Sequence, residues 1–486
     1  MVEEDSPPES NGLLPNGTQS KEKYNYILNM SSTSREDVPL RSEETPPASF
    51  TTTQKQLLAG LALANILNGS LVAVMIPFFP VEAASRGVPQ TTISALFSCF
   101  AIGQMVLSPV IGRLAPVLGV TRLYNIGISV AGLSTLVFGS LYHITDTDLF
   151  VAACFLTRLV ESAGMAAVTT CGYTIAGSQF PGRVNTAVAW LGSSLTAGLA
   201  LTPVFWGGLY AVGGFGTPFY TLGVVMLVVA AFNSWLMPAV EEESNRRQPR
   251  FLGTLLVFLS STDNLICMAT VFMFSTDFST VDASIAPYAD AVLGITPAMI
   301  GLYLFVSTSL YVVANFFWGW LAERSRLPFA LIAPCLLFSS LGLLLLAPSP
   351  LLGLEPSKWL LGLGLSVEEV FFGGAFTPCY KVMLDASIAR GLDDSLTTQA
   401  FVSSMLQTMY TMGVAVGPVS GGALIDAYGF PVMTTVLAFI TMVVGLLVTV
   451  KAFVRHGCCR DAALAASNNC APWKRRCNYE SIGVKS

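Results

Sequence analysis

The sequence predicts an all-α membrane protein: twelve transmembrane helices forming two pseudo-symmetric six-helix bundles. Three observations carry this reading. Apolar runs long enough to cross ~30 Å of hydrocarbon follow one another from Leu57 to Val454. Positive charge is concentrated in alternate short loops, as topology rules require. The second half of the chain also repeats landmarks of the first. Composition agrees, with 53% of the 486 residues hydrophobic and 11% charged, against about 25% charged in soluble domains. The mean hydropathy is +0.62.

Residues 1–54 are rich in Ser, Pro, Asn and Glu and too polar to bury a core, so a disordered cytoplasmic tail is expected. Within it, Glu9-Ser-Asn-Gly-Leu13-Leu14 resembles an acidic dileucine sorting signal. No cleavable signal peptide is expected, because the first apolar run starts near Leu57, behind this tail. Twelve runs follow, at roughly 56–80, 91–115, 120–143, 148–176, 185–210, 216–238, 262–290, 297–321, 328–347, 358–385, 396–425 and 431–454. Helices are the expected solution, since lipid offers no partner to a free backbone N–H or C=O. The first six runs define a bundle at 55–238 and the last six a bundle at 262–455. Between them, 239–261 is a cytoplasmic linker carrying Glu241 to Glu243, Arg246, Arg247 and Arg250. It closes on an apolar stretch, Phe251 to Leu259, expected to lie as an interfacial helix. Residues 456–486 form a polar C-terminal tail.

One set of loops holds Arg113, Arg122, Arg183, Arg246, Arg247, Arg250, Arg324, Arg326, Lys381 and Arg390. The other holds Arg86 and Lys358 among Asp146, Asp148, Asp290, Glu355 and Asp426. The positive-inside rule makes the first set cytoplasmic, and both termini with it. The net charge of −5 and the lack of a basic field exclude a nucleic-acid partner. Six cysteines (Cys99, Cys154, Cys171, Cys267, Cys335, Cys379) read as small core side chains. Of the four in the tail (Cys458, Cys459, Cys470, Cys477), the pair beside Arg455 and Arg460 reads as palmitoylated or as plain thiols. Their spacing fits no zinc site, and no metal or cofactor is expected. The expected partners are lipid and a small solute, and the expected state is a monomer.

A displacement of 207 residues places Gly87-Val88 on Gly294-Ile295, Ile93 on Ile300, Gly112 to Ala115 on Gly319 to Ala322, and Glu161 on Glu368. Beyond a longer loop near Gly391 the displacement becomes 215, so that Pro203 meets Pro418 and Gly214-Phe215 meets Gly429-Phe430. Such repeats in transporters enclose a midplane site.

Intramembrane charge is the strongest functional signal, because a charged residue at the centre of a spanning helix costs about 2.5–3.5 kcal/mol on insertion scales. Arg158 and Glu161 stand three residues apart in the fourth run and share a helical face. They read either as a structural ion pair or as part of a proton or substrate relay. Asp277 and Asp282 lie in the seventh run, five residues apart and so on different faces. Glu368 and Glu369 are adjacent in the tenth, where only one can point straight into a cavity. Asp263, behind Ser260-Ser261-Thr262, reads as an N-cap. Tyr173, Trp190, Trp206, Tyr303 and Tyr311 are candidates for a cation–π cage or simply for packing.

Gly112-Arg113-Leu-Ala-Pro116-Val-Leu-Gly119-Val-Thr-Arg122 resembles the signature loop of the major facilitator superfamily. Pro116 stands where that pattern has an acid, whereas the counterpart Gly319-Trp-Leu-Ala-Glu323-Arg324 keeps it. The resemblance implies a gating charge latch, complete only in the second half. Arg158-Leu-Val-Glu161 is similar to the superfamily's fourth-span motif, with Glu161 in place of Gln. Gly198 to Pro203 and Gly413-Val-Ala-Val-Gly417-Pro418 resemble its antiporter motif. There small residues let helices approach and proline bends them. More closely, the chain resembles the vesicular amine transporter family and its polyamine-transporting branch. The matching text is Ile76 to Pro80, Phe97 to Ala101, Ser178 to Pro181, Gly417 to Leu424 and Tyr428 to Pro431.

Monoamine members carry acids in the first and eleventh spans, where this chain has Asn68 and Gln407. An amide bonds an ammonium but brings no charge. Cation attraction then falls to Glu161, Asp277, Asp282, Glu368 or Glu369, and Asp282 lies where the family keeps an acid. The resemblance implies a proton-coupled antiporter that loads a polyamine or related amine into acidic vesicles, with Glu161, Asp282 and Glu368 gathered round one chamber. The rival substrate class is an organic anion or neutral drug held by Arg158. The rival function class is a non-transporting sensor or scaffold. An enzyme is not expected, since no metal-ligand cluster is present and His143 and His456 lie at helix ends.

Overall fold

A computed structural model describes residues 50–237, 251–349 and 352–467. The dileucine-like stretch, the acidic and basic run of the linker, Cys470 and Cys477 lie outside the described residues, as do the side chains of Cys458 and Cys459.

The first half supplies α1 (Thr52–Ser85), α2 (Gln90–Leu118), α3 (Val120–Ser140), α4 (Thr147–Gln179), α5 (Val184–Gly213) and α6 (Gly216–Leu236). The short α7 (Phe251–Leu259) follows. The second half supplies α8 (Thr262–Leu293), α9 (Pro297–Arg324), α10 (Pro328–Leu346), α11 (Lys358–Ala389), α12 (Leu396–Tyr428) and α13 (Phe430–Ser467). Twelve of these helices are long and apolar enough to cross a bilayer. The chain is therefore an all-α, twelve-span membrane protein. α13 runs on to Ser467, past the apolar limit at 454, so its last turns continue beyond the membrane-length segment.

Local chemistry sets the helix ends. Asp146 accepts a hydrogen bond from Leu149 N–H, Ser357 from Leu360 N–H and Ser395 from Thr398 N–H, capping α4, α11 and α12. The repeated glycines are left-handed turns: Gly87 and Gly294 have φ of 78° and 60°, and Gly214 and Gly429 have 72° and 84°. Only glycine adopts these values at little cost, so the sequence repeat is a repeat of turns. Asp263 does not cap α8. It sits in the first turn and pairs with Lys451 at 2.7 Å and Arg455 at 3.2 Å, so a tertiary contact with α13 overrides the local capping reading.

Packing repeats as well. In the first half α1 packs on α5 and α6, α3 on α4 and α6, and α2 on α4. In the second, α8 packs on α12 and α13, α10 on α11 and α13, and α9 on α11. The halves meet through α2 with α12, α5 with α9, α4 with α12 and α5 with α11.

The motif glycines explain two of these contacts. A Cβ on Gly198 would run into the Ile66 carbonyl, and one on Gly69 into the backbone of Leu195. A Cβ on Gly413 would run into Ser275 and one on Gly417 into Ser279. Backbone-to-backbone approach therefore holds α5 on α1 and α12 on α8. Ser70 donates to Gly198 C=O at 3.3 Å, and Ser279 donates to Gly413 C=O at 3.4 Å, the same contact in each half.

Candidate functional site

The sequence gathers Glu161, Asp282 and Glu368 around one chamber; the structure distributes the acids among three places. The reason is helix rotation. In each bundle the acid on α4 or α11 turns toward its own bundle, and other positions face the partner half.

The first place is the interior of the first bundle. Arg158 and Glu161 are 2% and 3% exposed, and Nη1 donates to Glu161 Oε2 at 2.5 Å. Thr135 of α3 donates to Glu161 Oε1 at 3.3 Å, and the guanidinium lies 4.1 Å from the Phe100 ring centroid on α2. Arg158 is thereby neutralised and enclosed, which leaves it poorly placed to hold an anion.

The second place is the interior of the second bundle, where Asp277 and Glu368 are 0% and 2% exposed. Thr441 of α13 donates to Asp277 Oδ2 at 2.6 Å. Asp277 Oδ1 and both oxygens of Glu368 have no hydrogen-bond partner in the structure.

The third place is the cleft between the halves. Asp282 is exposed although it lies well inside α8, and it acts electrostatically on Glu369 of α11 and Tyr410 of α12. An exposed acid aimed at facing helices rather than at lipid marks water-accessible space. Tyr311 of α9 acts on Glu369, Tyr410 and Tyr173, and lies within hydrogen-bonding reach of Thr196 on α5. The cleft thus brings together α4, α5, α8, α9, α11 and α12, with two acids set among three tyrosines. Tyr410 is the residue that sequence reading missed; its position two residues beyond Thr408 in a polar stretch of α12 gives no local sign of facing Glu369.

The two amides that replace family acids behave differently. Asn68 is buried with neither side-chain polar atom partnered, whereas Gln407 donates to Gln104 of α2 at 3.2 Å across the halves. Of the other aromatic candidates, Trp190 packs on Phe316 and Tyr303 packs over Gly362. A surface groove of about 670 Å³ between α2 and α4 is apolar, lined by Ala95, Cys99, Ile102 and Leu159, and includes none of the cleft acids.

The halves close on the side of the Arg-rich loops. Thr174 donates to Ser403 at 3.1 Å, and Ser403 lies 3.3 Å from the Tyr380 hydroxyl. A Cβ on Gly177 would run into that hydroxyl. Glu323 accepts from Thr186 N–H at the start of α5 and from Lys381, each at 3.2 Å, so a carboxylate of one half seats on a helix N-terminus of the other. The counterpart loop makes a different contact. Gly112 packs on Ser404 and the Ala400 carbonyl, while Arg113 lies 5.2 Å from the Phe251 ring of α7. Phe251 in turn meets Phe401 of α12. Arg324, beside the latch acid, lies 4.1 Å from the Trp320 ring centroid on its own helix.

The sequence profile of the Major Facilitator Superfamily matches residues 61–273 and 267–457. The chain is 29% identical to the Mus musculus protein named MFS-type transporter SLC18B1 over 384 residues, covering 78% of this chain and 82% of that one. It is 24% identical to the Homo sapiens chromaffin granule amine transporter over 362 residues, 73% of this chain and 64% of that one. The crystal structure of the human organic anion transporter MFSD10 (TETRAN) superposes with a TM-score of 0.66 at 15% identity, over 81% of this chain and 99% of the other. That last likeness speaks for the fold. The relatives and the family are transporters and not enzymes. The chain belongs to the Major Facilitator Superfamily and is a multi-pass transporter of a small molecule.

Proposed function

We propose that this protein is a proton-coupled antiporter that loads a small organic cation, a polyamine or related amine, into an acidic vesicle. The observation that carries the reading is the cleft itself, where Asp282 and Glu369 stand together among Tyr173, Tyr311 and Tyr410. Two carboxylates attract an ammonium, and tyrosine faces and hydroxyls hold one after it has shed water. A relative named for amine transport and the family text in the first, second and eleventh spans support the same substrate class. Arg158, enclosed by Glu161 and Phe100, speaks against an anion.

The cycle is a competition. The positive-inside rule supports a cytoplasmic assignment for the closed, Arg-rich end, and on that reading this structure corresponds to the lumen-open form. In the cytoplasm-open form Asp282 and Glu369 are ionised and take the cation. After the halves rock, lumenal protons take its place, and each pH unit supplies about 1.4 kcal/mol per proton exchanged. Arg158 stays paired with Glu161 inside the first bundle. The Glu323 contact with α5 forms when the cytoplasmic end closes and breaks when it opens.

The test is reconstitution of the full chain in liposomes with an acidic interior and labelled spermidine or a labelled monoamine outside. Accumulation of an amine that collapses when the gradient is dissipated supports the reading. Uptake of neither amine, or uptake indifferent to the gradient, overturns it.

A further inference from the structure

Helices α8, α11, α10 and α13 close a ring in which each packs on the next and α13 returns to α8. Each contributes one buried polar group to the interior. Asp277 comes from α8 and Thr441 from α13, joined by their hydrogen bond. Glu368 comes from α11, with its backbone against Gly342 of α10. Ser339, one turn before Gly342 on the same face of α10, is 0% exposed and also without a partner. Asp277 and Glu368 act on each other electrostatically.

The corresponding ring of the first half shows what is unusual. The displacement that takes Glu161 to Glu368 takes Arg158 to Leu365, a buried apolar residue. The displacement that takes Ser70 to Ser279, which make the matching contact in each half, takes Asn68 to Asp277. One ring therefore holds an acid, a base and an amide, and the other holds two acids and no base. Among the described residues the other charge that acts on Glu368 is itself an acid, Glu369. The spanning part of α10 carries no charge, Lys451 and Arg455 of α13 are engaged by Asp263 at the far end, and Asp282 and Glu369 meet in the cleft.

We propose that Asp277 and Glu368 form an intramembrane proton site distinct from the cation-binding acids of the cleft, holding one proton between their carboxyls in the lumen-open state. A carboxylate moved into a dry interior without a cation or hydrogen-bond donors is several kcal/mol less stable than in water, and two adjacent acids cannot both ionise there. Glu368 has no donor, and the charged groups that act on it, Asp277 and Glu369, are both acids, so the pair keeps a proton. In transport, an O–H bond forms on the pair with a proton from the lumen and breaks when the cytoplasm-open state lets water in. No other atom changes partner. Glu369, next in sequence and on the cleft side, is the nearest relay. The role in transport rests on the antiport reading; the shared proton does not.

Two measurements on the full chain in lipid separate these. In the infrared, wild-type protein at neutral pH without amine shows the carbonyl band of a protonated carboxylic acid, and the wild-type minus Glu368→Gln difference spectrum contains it. Asp277→Asn shifts or removes the same band. A blank difference spectrum overturns the proposal whatever the substrate. In proteoliposomes with a gradient of one pH unit, Glu368→Gln lowers steady-state spermidine accumulation about tenfold for the one proton lost. Exchange of labelled for unlabelled spermidine without a gradient persists. Accumulation equal to wild type, or loss of exchange in a variant that elutes as a single folded species, overturns the assignment. If Gln at 368 prevents folding, Glu368→Asp keeps a carboxyl and is expected to retain the band, accumulation and exchange. Wild-type protein that moves no spermidine overturns the antiport reading, and the infrared spectrum still decides the pair.

Discussion

The two halves share a scaffold but divide the chemistry. Glu161 and Glu368 occupy equivalent positions, yet Glu161 is paired with Arg158 and Thr135 while Glu368 meets no donor. The latch loops diverge in the same direction. Glu323 seats on the start of α5, whereas the first half has Pro116 and instead stacks Arg113 on Phe251 of the linker helix. Both cleft acids also come from the second half. The difference teaches that pseudo-symmetry fixes where helices touch, through residues such as Gly198 and Gly413, and leaves side-chain charge free to be loaded on one side.

This comparison is broken most easily at Arg158 and Glu161. Glu161→Gln leaves a buried guanidinium without its charge partner, an expected loss of about 3–5 kcal/mol. The check is thermal unfolding and yield, with the double variant Arg158→Met/Glu161→Met expected to recover most of the loss. In the second half, Asp282→Asn and Glu369→Gln are expected to weaken amine binding by about 2 kcal/mol or more, at least ~30-fold, with little change in melting. Binding of labelled spermidine to purified protein measures this. If instead these variants unfold and the Arg158/Glu161 variants lose only binding, the division of labour is reversed.

Smaller effects sharpen the picture. Gly198→Ala and Gly413→Ala each force apart a backbone contact and should destabilise by about 1–3 kcal/mol each, equally in both halves. Equal losses mark packing as the shared property, and a difference beyond ~1 kcal/mol contradicts it. Least of all, Glu323→Gln removes a part-exposed pair with Lys381 worth about 0–1 kcal/mol. Spin labels on the Arg-rich ends of α5 and α9 should then report more of the separated form, with melting unchanged.

Much of this was legible in the sequence, for stated reasons. Twelve spans follow from hydrocarbon thickness, and the two halves from turn glycines that must adopt positive φ. The Arg158–Glu161 pair follows from helical spacing alone. What periodicity leaves undetermined is helix rotation inside a bundle that is apolar on every face. Glu368 and Glu369 differ by one position, yet one enters the bundle core and the other the cleft. Asp263 shows the same limit, since its partners lie about 190 residues away on α13.

The most direct test of the account is proton release driven by the cation. Spermidine added outside acid-loaded proteoliposomes containing a lumenal pH dye should alkalinise the lumen with wild-type protein and with Arg158→Met/Glu161→Met. It should not do so with Asp282→Asn. A lumen that stays acid with wild-type protein, or a response that survives Asp282→Asn and vanishes with the first-half double variant, would contradict the claim that the second half carries the exchange.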